Sequence, residues 1–226
     1  MSTFATQKHK TMKHILILLI IIPILASSCA TIGRYESGIS YSNNYLLISP
    51  VFDAGVIERA NSLRYDSTLS SMAEKTIMET AFSHSSIMQF SDTATAPEHL
   101  KLQIVRLANI VATAKTQAIS GMTTPQDIDD FIAEHGYRYG MVIFGTGFVR
   151  PVGNTIGWMS LAVFTGVLTG VSVYPNMNNL CKVDAIVIDA YEHRIISVKT
   201  SGPHDRNPSK REVVEQTFLK TLKIRH

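Results

Sequence analysis

Two cysteines are the side chains of this sequence whose chemistry is most readily assigned. Cys29 directly follows a run of small residues, Ala26-Ser27-Ser28, close to the N-terminus. Cys181 lies in an apolar, strand-like run, where a cysteine usually packs as a small buried hydrophobe. A buried thiol is inert, whereas a thiol at a processing site can be modified covalently. We therefore expect chemistry at Cys29 and none at Cys181.

The residues before Cys29 have the three parts of an export signal. Residues 15–25 form an apolar stretch, and small residues separate it from the cysteine. A positively charged region precedes the stretch and consists of Lys8, Lys10 and Lys13. The stretch is shorter than the roughly 20 apolar residues that a membrane-spanning helix needs. Residues 1–28 are therefore interpreted as a signal peptide.

The sequence Leu25-Ala26-Ser27-Ser28-Cys29 resembles the lipobox of bacterial lipoproteins. The resemblance implies that the Cys29 thiol is diacylated and that Cys29 becomes the first residue of the mature chain. Two acyl chains are sufficient for stable anchoring in a membrane. The residue after Cys29 is alanine rather than aspartate, which resembles sorting to the outer membrane, with the domain on the periplasmic side.

The net charge of the mature chain bears on whether it could bind nucleic acid. The chain has 21 Lys and Arg and 18 Asp and Glu residues, and three of the lysines precede Cys29, so residues 29–226 have 21 − 3 = 18 basic and 18 acidic residues. The mature chain therefore has no formal net charge, and its composition gives no support to nucleic-acid binding. Translation from Met12 instead of Met1 would change nothing after Cys29.

The mature chain predicts a lipid-anchored tether followed by one domain. Residues 29–44 are rich in Ser, Gly, Asn and Tyr without periodicity, which is typical of a flexible tether. Residues 45–226 alternate between strand and helix patterns. Strands are predicted at 45–52, 99–112, 139–149, 180–191 and 194–201, with loops at 53–65 and 113–122. The order β-α-β-α-β-(apolar segment)-β-β-α predicts a single α/β (α+β) sandwich with a mixed sheet and about three helices.

Capping residues predict where those helices begin. Asp66 caps the first helix, which ends near residue 83, and Thr124 caps the second, which ends at Gly136. The third helix opens with the capping box Ser209-Lys210-Arg211-Glu212 and runs towards the C-terminus.

No motif of this sequence predicts catalysis or a bound cofactor. It has no GxSxG elbow, and Gly145-Thr146-Gly147 lacks the third glycine and the lysine of a phosphate-binding loop. The acids Asp127, Asp129 and Asp130 stand at a helix start, where they are interpreted as favouring the helix dipole rather than as metal ligands. We predict no enzymatic activity, no cofactor and no metal. A triad of residues distant in sequence stays open as the basis of an envelope hydrolase.

The most unusual segment is residues 151–181, which carry no formal charge. Within it, residues 156–173 are strongly apolar. Three interpretations stay open: an element that packs on the sheet, an exposed element that docks on a membrane or on a like subunit, or a single transmembrane helix. The candidate membrane or partner contacts are Ile156, Trp158, Leu161, Phe164 and Leu168.

Local patterns of the chain resemble a group of outer-membrane lipoproteins and envelope domains. The strand at 45–52 before the Asp66 helix, the glycine-bounded strand at 136–145 and the charged turn at 188–196 are similar to patterns of the curli-secretion lipoprotein CsgG, the penicillin-binding-protein activator LpoB and the N-terminal domain of TolB. The resemblance spans about residues 45–224 and implies their α/β fold.

Together these patterns predict a lipid-anchored cell-envelope protein that is a non-enzymatic binding or assembly module facing the periplasm. Its partners would be the membrane, through the lipid, and an envelope protein or further copies of itself. A first alternative is an oligomeric outer-membrane channel or secretion component that uses residues 156–173 as its membrane element. A second alternative is an envelope hydrolase.

Overall fold

Eight strands join into one mixed sheet in the computed structural model of the chain, which describes residues 35–36, 44–58, 62–114, 116–119, 122–151 and 177–223. In chain order they are β1 (Tyr35–Glu36), β2 (Tyr45–Ile48), β3 (Val51–Ile57), β4 (Leu63–Tyr65), β5 (Asp92–Ala94), β6 (Tyr139–Val149), β7 (Asn179–Asp189) and β8 (Arg194–Thr200). The strand order is β1-β8-β7-β6-β2-β5, and β3 pairs with β6 and β4. Strands β2, β3, β5 and β6 are mutually parallel where they pair, whereas β6, β7, β8 and β1 pair antiparallel.

Helices pack against this sheet and fill the gaps between strands in sequence. They are α1 (Ser67–Ser83), α2 (Ser85–Met88), α3 (Glu98–Thr113), α4 (Thr116–Ile119), α5 (Gln126–Glu134) and α6 (Arg211–Leu222). The predicted α+β class with a mixed sheet is confirmed. In the described residues, two single-turn helices and one longer helix, α3, are added to the three that the sequence predicts.

The sheet buries apolar side chains on both faces, because its central strands alternate between two hydrophobic cores. On the first face, Leu46 and Val142 join the residues of α3 and α5. On the second face, their neighbours Leu47 and Ile143 join the residues of α1 and α6. Successive strand residues point to opposite faces, so this division means that one helical layer covers each face.

The predicted strand 45–52 is divided at Ser49-Pro50. Tyr45 pairs with Tyr139 in β2, but Val51 pairs with Phe144 in β3, so the partner offset falls from 139 − 45 = 94 to 144 − 51 = 93. One extra residue is therefore inserted, as in a β-bulge, at a proline that has no N–H to donate. The predicted loop 53–65 is wrong in part, because β3 continues to Ile57 and a hairpin returns as β4.

The predicted strand 99–112 is wrong, because these residues form helix α3. The alternation of residues 100–104 matches a strand pattern, but the buried side chains follow a helical period over a longer span. They are Leu100, Ile104, Leu107, Ala108 and Val111. Leu102, which a half-buried strand would have placed inside, is 58% exposed on the outer surface of the helix.

One of the three predicted helix caps is confirmed. The Asp66 side chain accepts a hydrogen bond from the Leu69 N–H and caps α1. Helix α5 begins after Pro125 and helix α6 after Lys210, in both cases without a side-chain cap. The Thr124 hydroxyl instead donates to the Asp129 carboxylate, because that buried acid needs a donor.

A short strand lies in the segment expected to be a flexible tether. Tyr35 pairs with Val198 and Glu36 with Ser197, so β1 extends the sheet beyond β8. Residues 35–36 therefore fix a point of the chain soon after Cys29 to the edge of the sheet.

Candidate functional site

The predicted lipidation site and the candidate membrane or partner contacts lie outside the described part of the chain. They are Cys29, Ile156, Trp158, Leu161, Phe164 and Leu168. The structure does describe where the apolar segment joins the domain, at the C-terminal end of β6 and the N-terminal end of β7. The candidate site is therefore built from these attachment points and from the side chains around them.

Strands β6 and β7 form the longest ladder of the sheet, and it closes at the apolar segment. The pairing runs without interruption from Tyr139 opposite Asp189 to Val149 opposite Asn179. Consequently Val149 and Asn179, which flank residues 150–178 in sequence, are paired neighbours in the sheet. We call the end of the sheet at which Val149 and Asn179 pair the connection end.

The three interpretations of residues 156–173, an element packed on the sheet, an exposed docking element and a transmembrane helix, concern residues outside the described part of the chain. The structure describes the two strands that flank them, β6 and β7, which are hydrogen-bonded neighbours along their whole length. Within the described residues, no helix is long and apolar enough to cross a membrane.

Strand β8 runs towards the connection end, and β1 pairs with it at the edge of the sheet. Strand β1 is antiparallel to β8, with Tyr35 opposite Val198 and Glu36 opposite Ser197. Thr200 pairs with Asp184, and beyond it His204 forms an isolated bridge with Cys181 near the start of β7.

A row of polar side chains crosses three strands beneath the connection end. Asp53 in β3 is opposite Thr146 in β6, and Thr146 is opposite Lys182 in β7. The alternation of the strands places all three on the first face, as it does Asp184 two residues further along β7. Thr146, Lys182 and Asp184 are at most 7% exposed. We call these four residues the polar row.

The polar row is only partly satisfied by hydrogen bonds. Lys182 Nζ donates to Asp184 Oδ2 at 2.6 Å, forming a buried ion pair. Among the described residues, Asp184 Oδ1 and Thr146 Oγ1 are buried without a partner. Burial also raises the pKa of the Asp53 carboxyl above its ordinary value of 3.8. Unsatisfied buried polar atoms are costly, so the row is a place where a further polar group would be stabilised.

The polar row also interrupts the hydrophobic core of the first face. Val51 and Phe144 belong to the large cluster under α3 and α5, whereas Ile57, Phe148 and Leu180 form a separate small cluster at the connection end. The two clusters lie on either side of the row. The row therefore separates the large cluster of the first face from the small cluster at the connection end.

Cationic side chains gather beside the start of β7. The backbone of His204 is held by its bridge to Cys181, and its Nε2 lies 3.1 Å from Lys220 Nζ on α6. Arg206 lies in the same loop and donates to Gln216 of α6 at 2.9 Å. Partial burial and the nearby charges of Lys220 and Arg206 lower the pKa of His204. Lys220 and Arg206 form no ion pair with a described carboxylate.

The Asp205 carboxylate of the same loop accepts hydrogen bonds from two backbone N–H groups. Asp205 Oδ1 accepts from the Asn179 N–H at 2.9 Å, and Oδ2 accepts from the Asn178 N–H at 3.3 Å. Asp205 thus fixes the point at which the connection returns to β7. His204 and Asp205 thus both hold the start of this strand in place.

At the opposite end, buried acids hold the turn between β7 and β8. Asp189 is fully buried, binds Arg138 through Nε and Nη2, and accepts the N–H groups of Tyr191 and Glu192. Burial tends to raise its pKa, but these hydrogen bonds outweigh burial and the pKa is lowered. Its role is therefore to shape the turn.

Asp129, Thr124 and His193 resemble the components of a catalytic triad, but their arrangement differs. The Asp129 carboxylate is the central group: it accepts from Thr124 Oγ1 at 2.6 Å and contacts His193 Nδ1 at 2.9 Å. In a triad the imidazole stands between the acid and the hydroxyl. Burial raises the pKa of Asp129 in spite of these partners. The cluster joins α5 to the turn at His193, whose φ of 50° lies in the left-handed region.

Cys181 is fully buried, as the sequence predicts. Burial raises the pKa of its thiol to about 11, so it is protonated at neutral pH. The described residues also contain no group of three or more His, Cys, Asp or Glu side chains placed to hold a metal ion.

Comparisons with known proteins identify no family. No protein-family model matches the sequence, and no curated protein matches it. The chain is similar to the PelC dodecamer from Paraburkholderia phytofirmans, with a TM-score of 0.39 and 11% identity over 86% of this chain and 98% of that chain. A point variant of that PelC gives a TM-score of 0.35 and 11% identity over 83% and 93% of the two chains. The C-terminal domain of LpoB from Salmonella enterica gives 0.32 and 12% identity over 76% and 88%. LpoB belongs to the group that the local sequence patterns resemble.

Proposed function

We propose that this protein is a lipid-anchored module of the bacterial cell envelope that binds or assembles with other envelope components and does no chemistry of its own. Its anchor is the diacylated Cys29, and its domain faces the periplasm from the outer membrane. The observation that carries the proposal is the cysteine after Leu25-Ala26-Ser27-Ser28 at the end of an export signal.

The described structure supports a binding role in two ways. The buried acids Asp129 and Asp189 are engaged in holding α5 and the β7–β8 turn, which is a structural use of groups that could otherwise serve in catalysis. The only described thiol, Cys181, is buried and protonated. Cys29 is therefore the thiol that we propose to be covalently modified, by the lipid of the anchor.

The anchor is tested by the mass of the mature protein. We expect membranes of an expressing bacterium to contain chain 29–226 with a diacylglyceryl group on Cys29. Cys29→Ala should remove both the lipid mass and the cleavage before residue 29. Cys181→Ala is the matched control and should leave the lipid mass unchanged. An unmodified Cys29 at the N-terminus of the wild-type protein would overturn the proposal.

A second candidate function is an oligomeric channel or secretion component of the outer membrane. The observation that favours it is the closed ladder at Val149 and Asn179, because an uncharged connection that leaves and returns at one place can enter a bilayer without dividing the sheet. A variant in which residues 1–29 are replaced by a signal peptide that is cleaved without lipidation separates the two functions. Release of this variant into the soluble periplasmic fraction argues against a membrane element in residues 156–173, whereas retention that only detergent reverses argues for one.

A further inference from the structure

We infer that the polar row is a binding site for an organic cation, a primary ammonium group on an aliphatic chain that enters the row beside Asp53. The inference goes beyond the proposed function and does not depend on the anchor at Cys29. Three observations on the described residues support it: unpartnered polar atoms at the buried end of the row, an opening at its other end, and an excess of negative charge.

The buried end of the row has acceptor atoms that the fold leaves unused. Asp184 uses Oδ2 to bind Lys182 Nζ, but its Oδ1 is buried without a partner, and so is Thr146 Oγ1. Thr146 is 5% exposed and the side chain of Asp184 is 9% exposed. The two residues are diagonal neighbours on adjacent strands, about 7–8 Å apart between Cα atoms, so one group between them can contact both. A bound group that donates hydrogen bonds would satisfy these atoms.

The other end of the row opens at a gap in the edge of the sheet. The pairing of β5 with β2 ends at Ile48, and the pairing of β4 with β3 begins at Gly55. Between these two residues no described strand lies beside β3, and its backbone N–H groups there donate to side chains of α1 instead. Asp53 lies in this gap and is only half-buried, unlike the rest of the row. A ligand can therefore enter the row at Asp53.

The row and its opening carry more negative than positive charge. Asp184 is paired with Lys182, but Asp53 has no ion-pair partner among the described residues, and burial alone raises its pKa. The Glu74 carboxylate of α1 accepts a backbone N–H at the same gap and is likewise without a described basic partner. The adjoining connection, residues 151–181, has no charged residue to offer. A cation from outside would therefore balance the charge of the row.

Apolar side chains on both sides of the row suit an aliphatic chain. Along β6, Thr146 stands between Phe144 and Phe148 on the first face. Phe144 belongs to the large cluster of that face, and Phe148 belongs to the small cluster with Ile57 and Leu180. A ligand along the row would have its ammonium group against the oxygen atoms and its hydrocarbon chain between the two clusters. This arrangement favours an alkylammonium over a strongly hydrated metal ion, which needs several oxygen ligands.

The experiment measures binding of 4,4,4-trifluorobutylammonium to the full chain, purified in detergent, by fluorine NMR. The matched probe is 4,4,4-trifluorobutanol, which has the same chain without the charge. We expect the fluorine signal of the ammonium probe to shift in a saturable manner as protein is added. The alcohol should show no saturable shift.

Variants of the row then test where the probe binds. Asp53→Asn and Thr146→Val keep the size of each side chain but remove an acceptor for the ammonium group, so each should weaken binding about tenfold or more. Asp92→Asn is the control, because it removes an exposed carboxylate from β5 outside the row and should bind the probe like wild type. Urea unfolding confirms that each variant is folded.

Competition with Nα-acetyl-lysine N-methylamide distinguishes two sources of the cation. Displacement of the ammonium probe would show that the lysine side chain of a partner protein fits the row, whereas binding of the probe without displacement would identify a free amine, and both results retain the site. Equal binding of the alcohol and the ammonium probe, or unchanged binding by both row variants, would overturn the inference. Neither result affects the anchor, which the mass of Cys29 tests separately.

Discussion

Val149 and Asn179 are paired neighbours at the last position of the β6–β7 ladder, although the whole uncharged connection lies between them in sequence. This pairing places the two residues that flank the connection side by side at one end of the sheet. The polar row and the cations around His204 lie near the same end, so the described side chains of the candidate site surround it.

The ion pair of Lys182 and Asp184 predicts a strong asymmetry between single and double substitution. Lys182→Met leaves the Asp184 carboxylate buried without a counter-ion and should cost about 3–5 kcal/mol of unfolding free energy. Lys182→Met with Asp184→Leu removes both charges and should cost much less. Urea unfolding of the three proteins at neutral pH measures the difference. A double variant as unstable as the single one would contradict the prediction.

The raised pKa of Asp53 predicts that the stability of the fold decreases as the pH rises through that pKa. Its pKa is raised in the folded protein because burial disfavours the charged carboxylate. Its contribution is therefore fully present below the unfolded value of 3.8 and is lost as the pH rises through the folded pKa. Asp53→Asn should remove this loss, so the urea midpoint of the variant relative to wild type should rise as the pH is increased above 3.8.

Asp189 is the control for Asp53, because its pKa is lowered in the folded protein rather than raised. Burial tends to raise its pKa, but Arg138 and two backbone N–H groups outweigh burial and lower it. Its stabilisation is present above the unfolded pKa and is lost as the pH falls through the folded pKa. Asp189→Asn should therefore lower the midpoint at neutral pH relative to wild type, and this deficit should shrink in acid. Parallel profiles for the two variants would show that the assigned causes are wrong.

Gly145 predicts a steric effect on the second face of the sheet. It pairs with Phe52, and a Cβ atom at residue 145 would overlap the Phe52 ring. Phe52 is 2% exposed and cannot move aside, so Gly145→Ala should cost about 1–3 kcal/mol. Adding Phe52→Leu should recover part of that loss, which makes the two substitutions non-additive in urea unfolding. Additive losses would mean that the ring is not the obstacle.

Cys181 predicts the pattern of thiol labelling. Its thiol is buried and its pKa is raised to about 11, so a folded, acylated protein should react only slowly with a thiol reagent. One thiol per chain should react after unfolding in urea. Mass spectrometry of the labelled protein counts the sites. A second reactive thiol in the unfolded wild-type protein would identify Cys29 as unmodified.

Much of the fold is predictable from patterns that are local in sequence. Strand β6 was predicted with its observed bounds, because its β-branched and aromatic residues lie between Gly136 and a charged residue. The β7–β8 hairpin and the Asp66 cap were predicted for similar reasons. Helix α3 was mistaken for a strand because five alternating residues matched a period of two, while its helical period is visible only across residues 100–111.

The sequence by itself determined the class of the fold, the absence of net charge after Cys29 and the resemblance of its N-terminus to a lipoprotein signal, since each depends on residues close together in the chain. Only the tertiary structure decided that Asp53, Thr146 and Lys182 form one row and that Val149 meets Asn179. These relationships depend on strand order and register, which are set by packing between distant segments. For the same reason, Thr124 was predicted as a cap and became a partner of Asp129.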